Sequence, residues 1–421
     1  MYKKRHVQER LKLLAKNFKV VLVLGPRQVG KTTLLRATFP NLPYVSFEIP
    51  DQISQARQDP GVFIDTYRGP VIFDEVQFVP QLLNRIKAIV DQSEEKGQYF
   101  LTGSQNLSTL RGVSESMAGR VGILDLTGMS VYEHNELFSF NDKGQESPVN
   151  WLQRYLANPS KDDLVPAFGG VASQKPLVET IWRGGLPALN NLDTSLFTDY
   201  FNAYLRTYIE RDIRTFGFIS DLVPFEMFVR LVGALSGHEI NYSHLGREIG
   251  IEQRTAKAWI GLLLQGYLWY DVRPYTRNAV KAVAKRGKGY FFDTGMAAYL
   301  QQIRSPQAVL SHPNFGSLFE TYCFNMLRQL SGSSGMKPGI YYWRTVQKTE
   351  VDFILEMDGK LYPIEVKAKS RPNGYDARGI KAFQHAYPEQ AQLGIILHAG
   401  TECYLVADRV LCLPYNAVMR D

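Results

Sequence analysis

The sequence predicts an α/β chain of several domains, and three observations point that way. An apolar, β-branched run from Val20 to Leu24 stops at a glycine and passes through a short loop into an apolar helical pattern. Strand-like and helix-like stretches alternate from residue 1 to about 140, the order expected of a parallel sheet with helices on both faces. Far downstream, two alternating runs flank Asp358-Gly359, a two-residue hairpin signal.

A chain of 421 residues exceeds one ordinary core, so about two to four domains are expected. The net charge of +7 permits a polyanionic partner without requiring one. Three cysteines, Cys323, Cys403 and Cys412, are too few for a disulfide framework and lack metal-ligand spacing, which suits a reducing cytoplasm. The basic start has no long apolar core, so no signal peptide is expected. No apolar run reaches the length of about 18 residues that a membrane span needs.

The loop after the first strand, GPRQVGKT, fits G-x-x-x-x-G-K-[ST] with Gly25, Gly30, Lys31 and Thr32 at the fixed positions. Backbone N–H groups there and at the following helix N-terminus cradle phosphates. Candidate nucleotide contacts are therefore Gly25, Pro26, Arg27, Gln28, Val29, Gly30, Lys31, Thr32 and Thr33. Lys31 is placed to reach the β- and γ-phosphates, and the Thr32 hydroxyl to ligate Mg²⁺. A second strand, PVIFDEVQ, ends in two acids: Asp74 to hold Mg²⁺ through its water shell, Glu75 to polarise the attacking water. A third, YFLTGSQN, offers Ser104 or Asn106 to the γ-phosphate or the water, unless Ser104 is only a helix N-cap. A helical stretch, LSTLRGVSESMAGR, then closes on Arg120 just before the strand VGILDLTG. Arg120, with Arg111 as the second choice, is either a catalytic arginine or a surface cation at a helix C-terminus.

This arrangement resembles the AAA-type ATPases, in which an arginine at that point reaches a neighbouring subunit's γ-phosphate. The chain is more closely similar to a bacterial and archaeal family of AAA-like ATPases. The likeness is carried by GPRQVGKTTLL, FDEVQ, LTGSQ, MAGRV, WRGGLP, TYIERDI, YFFDTG and EVDFILE…IEVKAK, and spans nearly the whole chain. It implies a P-loop AAA-like ATPase using ATP and Mg²⁺, a helical lid with a winged helix, a nuclease-like C-terminal domain and a homo-oligomer, a ring being one form open to it. It also implies that Gly184, Gly185 and Pro187 lie near the nucleotide, with Arg183 as a sensor. No N/T-K-x-D signal for guanine accompanies the loop.

Loop-like stretches between residues 141 and 180 mark a boundary. In the helix that follows, Tyr200, Tyr204 and Tyr208 recur every four residues, a spacing that favours a buried helix face over base stacking. From Phe225 the order is helix, short helix, longer helix and β-ribbon, which is the winged-helix order. In a DNA reader Arg254 and Lys257 would face the major groove. Downstream, Arg273, Arg277, Lys281, Lys285, Arg286 and Lys288 could supply phosphate contacts. Winged helices also serve as lids or protein docks, so DNA and protein partners are both open.

Counting outward from the Asp358-Gly359 turn pairs Met357 with Lys360, Leu355 with Tyr362, Phe353 with Ile364 and Val351 with Val366, giving one apolar face. The other face sets Asp352 opposite Glu365 and Glu350 opposite Lys367. Opposed carboxylates repel unless a cation lies between them. Two acids, a metal and a lysine are what phosphodiester hydrolysis requires. Asp352 and Glu365-Val-Lys367 resemble the PD-(D/E)XK nuclease motif, with Lys367 to orient or deprotonate a water and Glu320 as an additional metal acid. The alternative is a solvated face whose acids pair with Lys367 and Lys369. The expected domains are thus 1–140, 141–224, 225–300 and a restriction-endonuclease-like 301–421.

Overall fold

The computed structural model describes residues 2–105, 117, 119–140, 146–148, 150–171, 175–208, 219, 222–276 and 286–419. Asn106, Arg111, most of the helical stretch before Arg120, and Arg277, Lys281 and Lys285 of the basic run lie outside them. The chain divides into two compact units, Met1–Thr127 with Leu263–Leu268, and Gly128–Leu262 with Trp269–Asp421.

In the first unit five strands run parallel: β1 (Val20–Leu24), β2 (Tyr44–Ser46), β3 (Val71–Asp74), β4 (Tyr99–Gly103) and β5 (Val121–Asp125). Their order is β2-β3-β4-β1-β5. Every residue of β1, β3 and β4 is buried, as expected of the inner strands of a parallel sheet covered on both faces. This order sets β4 between β1 and β3. The loop after β1 and the acids after β3 therefore share the carboxyl edge of the sheet, where open α/β sheets bind ligands.

The second unit holds two small ribbons, β6 (Phe138–Phe140) with β7 (Glu146–Pro148) and β8 (Phe168–Val171) with β18 (Ala417–Met419). Its main feature is a nine-stranded sheet, β16-β17-β15-β14-β13-β12-β10-β11-β9. The strands are β9 (His238–Glu239), β10 (Trp269–Pro274), β11 (Lys288–Phe291), β12 (Gly339–Arg344), β13 (Glu350–Met357), β14 (Lys360–Lys367), β15 (Gly394–His398), β16 (Tyr404–Ala407) and β17 (Val410–Pro414). The helices expected around residue 225 are present as Leu222–Ala234, Tyr242–Ile249 and Gln253–Gln265. The ribbon β10/β11 does not stand free as a wing, however. β10 pairs in parallel with β12, so the sheet runs on across the expected boundary at residue 300.

Asp358 and Gly359 both take positive φ, 52° and 76°, as a two-residue hairpin turn demands. The ladder from Met357↔Lys360 to Phe353↔Ile364 follows the counted register. At Val351 the counting fails. Between β12 and β13 the register slips, Tyr341 pairing with Ile354 but Trp343 with Val351, so β13 carries one extra residue there. A bulge of this kind re-aims side chains. Val351 accordingly joins Ile354, Ile380 and Phe383 in one apolar cluster, whereas Phe353 stacks on Phe324 of the helix Phe315–Ser334. Tyr204 and Tyr208 are buried, in keeping with a core-facing tyrosine stripe.

Candidate functional site

The phosphate loop is held by backbone geometry first. Gly25 takes φ 149°, and a Cβ there would fall 2.0 Å from the carbonyl oxygen of Leu126, so only glycine fits. The Lys31 ammonium donates to the carbonyls of Gly25 (3.1 Å) and Pro26 (2.9 Å). Beneath the loop Arg5 donates to Val29 O and Thr127 O, each at 2.8 Å. Nothing in the spacing around Arg5 signals this role.

The acids of β3 meet the loop through hydroxyls. Thr32 Oγ1 donates to Asp74 Oδ1 at 2.8 Å, Thr102 Oγ1 donates to the same oxygen at 2.6 Å, and Tyr44 OH donates to Asp74 Oδ2 at 2.9 Å. The Glu75 N–H donates back to Thr102 Oγ1 at 2.9 Å. That bond anchors Glu75 in the left-handed region, φ 58°, a conformation costing on the order of 1–2 kcal/mol outside glycine. Glu75 Oε1 lies 3.9 Å from the Lys31 ammonium. Burial pushes the Glu75 carboxyl up, but Lys31, Gln77, Arg27 and Ser104 outweigh it and hold the pKa below the usual value. Gln77 bonds both Glu75 Oε2 and, at 3.0 Å, Ser104 Oγ, which gives Ser104 a tethering contact. A P-loop Mg²⁺ needs one hydroxyl and one carboxylate from the protein, the remainder coming from phosphate and water. Thr32 and Asp74 meet that requirement.

Arg120 sits at the opposite end of the sheet. Its carbonyl accepts from Val20 N–H at the start of β1, roughly 16 Å of strand from the loop, and its guanidinium pairs with Asp91. It is therefore out of reach of its own chain's loop. Arg183 lies in the second unit, paired with Glu179 at 2.9 Å and donating to Leu189 O, while the N–H of Gly185, two residues on, donates to Asp293 Oδ2 at 2.6 Å.

A family model described as "AAA domain" matches residues 17–135, the segment that contains the phosphate loop, Asp74, Glu75, Thr102 and Ser104. Residues 17–135 form an AAA-type ATPase domain. Two domains of unknown function, DUF8612 and DUF4143, match residues 174–307 and 315–418. "Uncharacterized protein Rv2008c" of Mycobacterium tuberculosis and "Uncharacterized protein Mb2031c" of Mycobacterium bovis are each 25% identical, over 100% of this chain and 85% of theirs. Among solved structures, the Walker-type ATPase of Pyrococcus abyssi is similar at 15% identity and TM-score 0.41, covering 72% of this chain and 96% of its own. A RuvB variant of Thermotoga maritima is similar at 18% identity and TM-score 0.29, covering 66% and 93%.

Beyond the ATPase domain, the carboxyl-terminal acids collect in the second unit. Asp352, Glu365 and Lys367 line one cavity of about 390 Å³ with Glu350, Lys348 and Arg378. The bulge lets Asp352 Oδ2 accept the Val366 N–H at 2.9 Å. Glu365 pairs through Oε1 with Lys367, while its buried Oε2 has no hydrogen-bond partner among the described residues. Glu320 accepts from Tyr290 OH at 2.6 Å.

Two expectations are corrected here. Lys288, expected in a solvent-facing basic ribbon, is buried, with its ammonium 2.9 Å from Glu320, 3.6 Å from Asp352 and in contact with Glu350. Arg273 of the same run is paired with Asp271 at 2.7 Å. At Lys367 burial disfavours the charge, but Glu365 and Asp352 prevail and raise its pKa above the usual value. Burial, then the charge of Asp352, push Glu320 up to about 7 and Glu365 well above the usual carboxylate range. Among the described residues no group of three or more His, Cys, Asp or Glu side chains is disposed to hold a metal ion. As arranged, Glu320, Asp352 and Glu365 do not fit one, because the ammonium of Lys288 lies among the acids.

Proposed function

We propose that this protein hydrolyses ATP in its AAA-type domain and uses the resulting cycle on DNA. The hydrolysis half rests on one observation, the Thr32–Asp74–Thr102–Glu75 chain that ties the loop to a carboxylate kept ionised beside Lys31. Glu75 orients the attacking water in line with the γ-phosphate and takes its proton. Lys31 balances charge that develops on the β- and γ-oxygens, and loop N–H groups hold the phosphates still. Thr32 and Asp74 would hold Mg²⁺, which would supply further charge neutralisation. Arg120 enters this scheme only from a neighbouring copy in a homo-oligomer, a ring included.

The DNA half is supported by charge and strand order. Arg254, Lys257 and Arg286 are exposed, on a helix start and beside β11, where phosphate contacts would form. β12, β13, β14, the helix Arg378–Ala386 and β15 follow the order of a PD-(D/E)XK-like domain, with Asp352, Glu365 and Lys367 on one cavity.

The first test is steady-state ATP hydrolysis with and without duplex and single-stranded DNA, at low and moderate salt. A several-fold stimulation that fades with salt is expected. A working ATPase indifferent to DNA would move the proposal to the second reading, a nucleotide-controlled oligomeric switch for protein partners with an idle nuclease fold. One observation favours that second reading: the buried Lys288 ammonium already lies among the acids as a counter-ion.

A further inference from the structure

We infer that Lys288 is the resident counter-ion of the C-terminal acidic cluster, so that the cluster takes a divalent cation only when this ammonium is withdrawn. The inference builds on the nuclease-like reading of the second unit and adds how that site is held off.

Lys288 is only 6% exposed, and its Nζ contacts carboxylates from two separate elements: Glu320 on the helix Phe315–Ser334, and Glu350 and Asp352 on β13. Its setting is close-packed. It stands between two glycines, and a Cβ on Gly287 would fall 1.7 Å from Asp271 Oδ1, one on Gly289 1.7 Å from the Trp269 ring. β11 is thus pressed against β10, which aims Lys288 inward. Two residues along, on the same face, Tyr290 donates to the same oxygen of Glu320.

The cluster still has ligand capacity. Glu365 is 7% exposed, and its Oε2 has no hydrogen-bond partner among the described residues. That oxygen, Asp352 Oδ1 and the Glu320 carboxylate are donors of the type Mg²⁺ or Mn²⁺ takes, but as arranged around Lys288 they do not form a cation site. A single ammonium neutralises one charge among several acids and offers no open coordination position. Its withdrawal would leave a divalent cation as the compensating charge.

The test is Mn²⁺ binding to the full chain without nucleotide, in a Lys31→Ala background that disables the phosphate loop, followed by electron paramagnetic resonance of free Mn²⁺. Lys288→Met keeps the stem and removes the charge. It should bind Mn²⁺ at least tenfold more tightly than the parent, and adding Glu365→Gln should abolish the gain. Lys288→Arg, which keeps the charge, should not gain. A folded Lys288→Met protein with unchanged Mn²⁺ affinity would overturn the inference. Should Lys288→Met not fold, Lys288→Gln retains a donor toward Glu320 and serves in its place. The parent protein decides independently: its Mn²⁺ binding should be indifferent to Glu365→Gln, and a loss on that substitution would overturn the inference. DNA cleavage separates the two proposals. A Lys288→Met variant that gains Mn²⁺ but never cuts leaves the counter-ion standing and removes the nuclease reading. Parent protein that cuts through Asp352 and Glu365 does the reverse.

Discussion

Thr32 and Asp74, 42 residues apart in sequence, are joined by a 2.8 Å hydrogen bond from hydroxyl to carboxylate. This bond closes the phosphate loop onto the strand that carries Glu75. The chemistry of the ATPase domain follows from it.

Lys31→Ala should abolish ATP hydrolysis, and Glu75→Gln should lower the turnover number by about 100-fold or more while sparing nucleotide binding. Phosphate release and the affinity for a fluorescent ATP analogue separate the two. Full hydrolysis in the Lys31 variant would remove the phosphate-loop assignment.

Arg5→Met should leave the carbonyls of Val29 and Thr127 without these donors. The expected cost is about 1–3 kcal/mol of stability and a weaker affinity for nucleotide, read by thermal melting with and without ATP. An unchanged melting temperature and affinity would show that the loop does not depend on Arg5.

Asp352→Ala strands the Val366 N–H and removes one partner of Lys288, so it should destabilise the chain by about 1–3 kcal/mol. Glu365→Gln, at a carboxylate whose Oε2 has no partner, should shift stability by less than about 1 kcal/mol. Both should leave ATP hydrolysis intact and remove any metal-dependent cleavage. If both still cut DNA, the cleavage site lies elsewhere.

Asp293 is fully buried, and burial raises its pKa from the ordinary 3.8 to about 6 despite hydrogen bonds from Gly185, Met296 and Gly295. The folded state therefore binds the proton more tightly than the unfolded one. Stability from this group falls as pH rises from about 4 through 6 and then levels, a cost of about 3 kcal/mol at neutral pH. Melting temperatures should consequently be higher at pH 5.5 than at pH 7.5, with Glu320 adding in the same direction, and Asp293→Asn should flatten the slope. A wild-type slope of the opposite sign would show that other groups dominate this range.

Local spacing made much of the site legible. A run of buried β-branched residues, two glycines and Lys-Thr specify the loop, because its backbone path depends only on neighbouring residues. Asp358-Gly359 set the hairpin register from Met357↔Lys360 out to Phe353↔Ile364 for the same reason, since a two-residue turn admits few pairings. The third helix starts at Gln253 and exposes Arg254 and Lys257, as its period implies.

Where partners are distant in sequence, only the tertiary structure decided. Thr102 on Asp74 follows from β4 pairing with β3, Tyr44 on Asp74 from β2 pairing with β3, and Arg5 between Val29 and Thr127 from β5 lying beside β1, an order that no local pattern encodes. The bulge at Asp352 depends on β12, a neighbouring strand, and it turns Val351 to the opposite face from the one counting assigns. Lys288 shows the limit most plainly. In sequence it closes a basic run. In the fold it is buried among three carboxylates, because the close packing of β11 on β10 determines which way its side chain points, and long-range packing is not written in the composition of the segment itself.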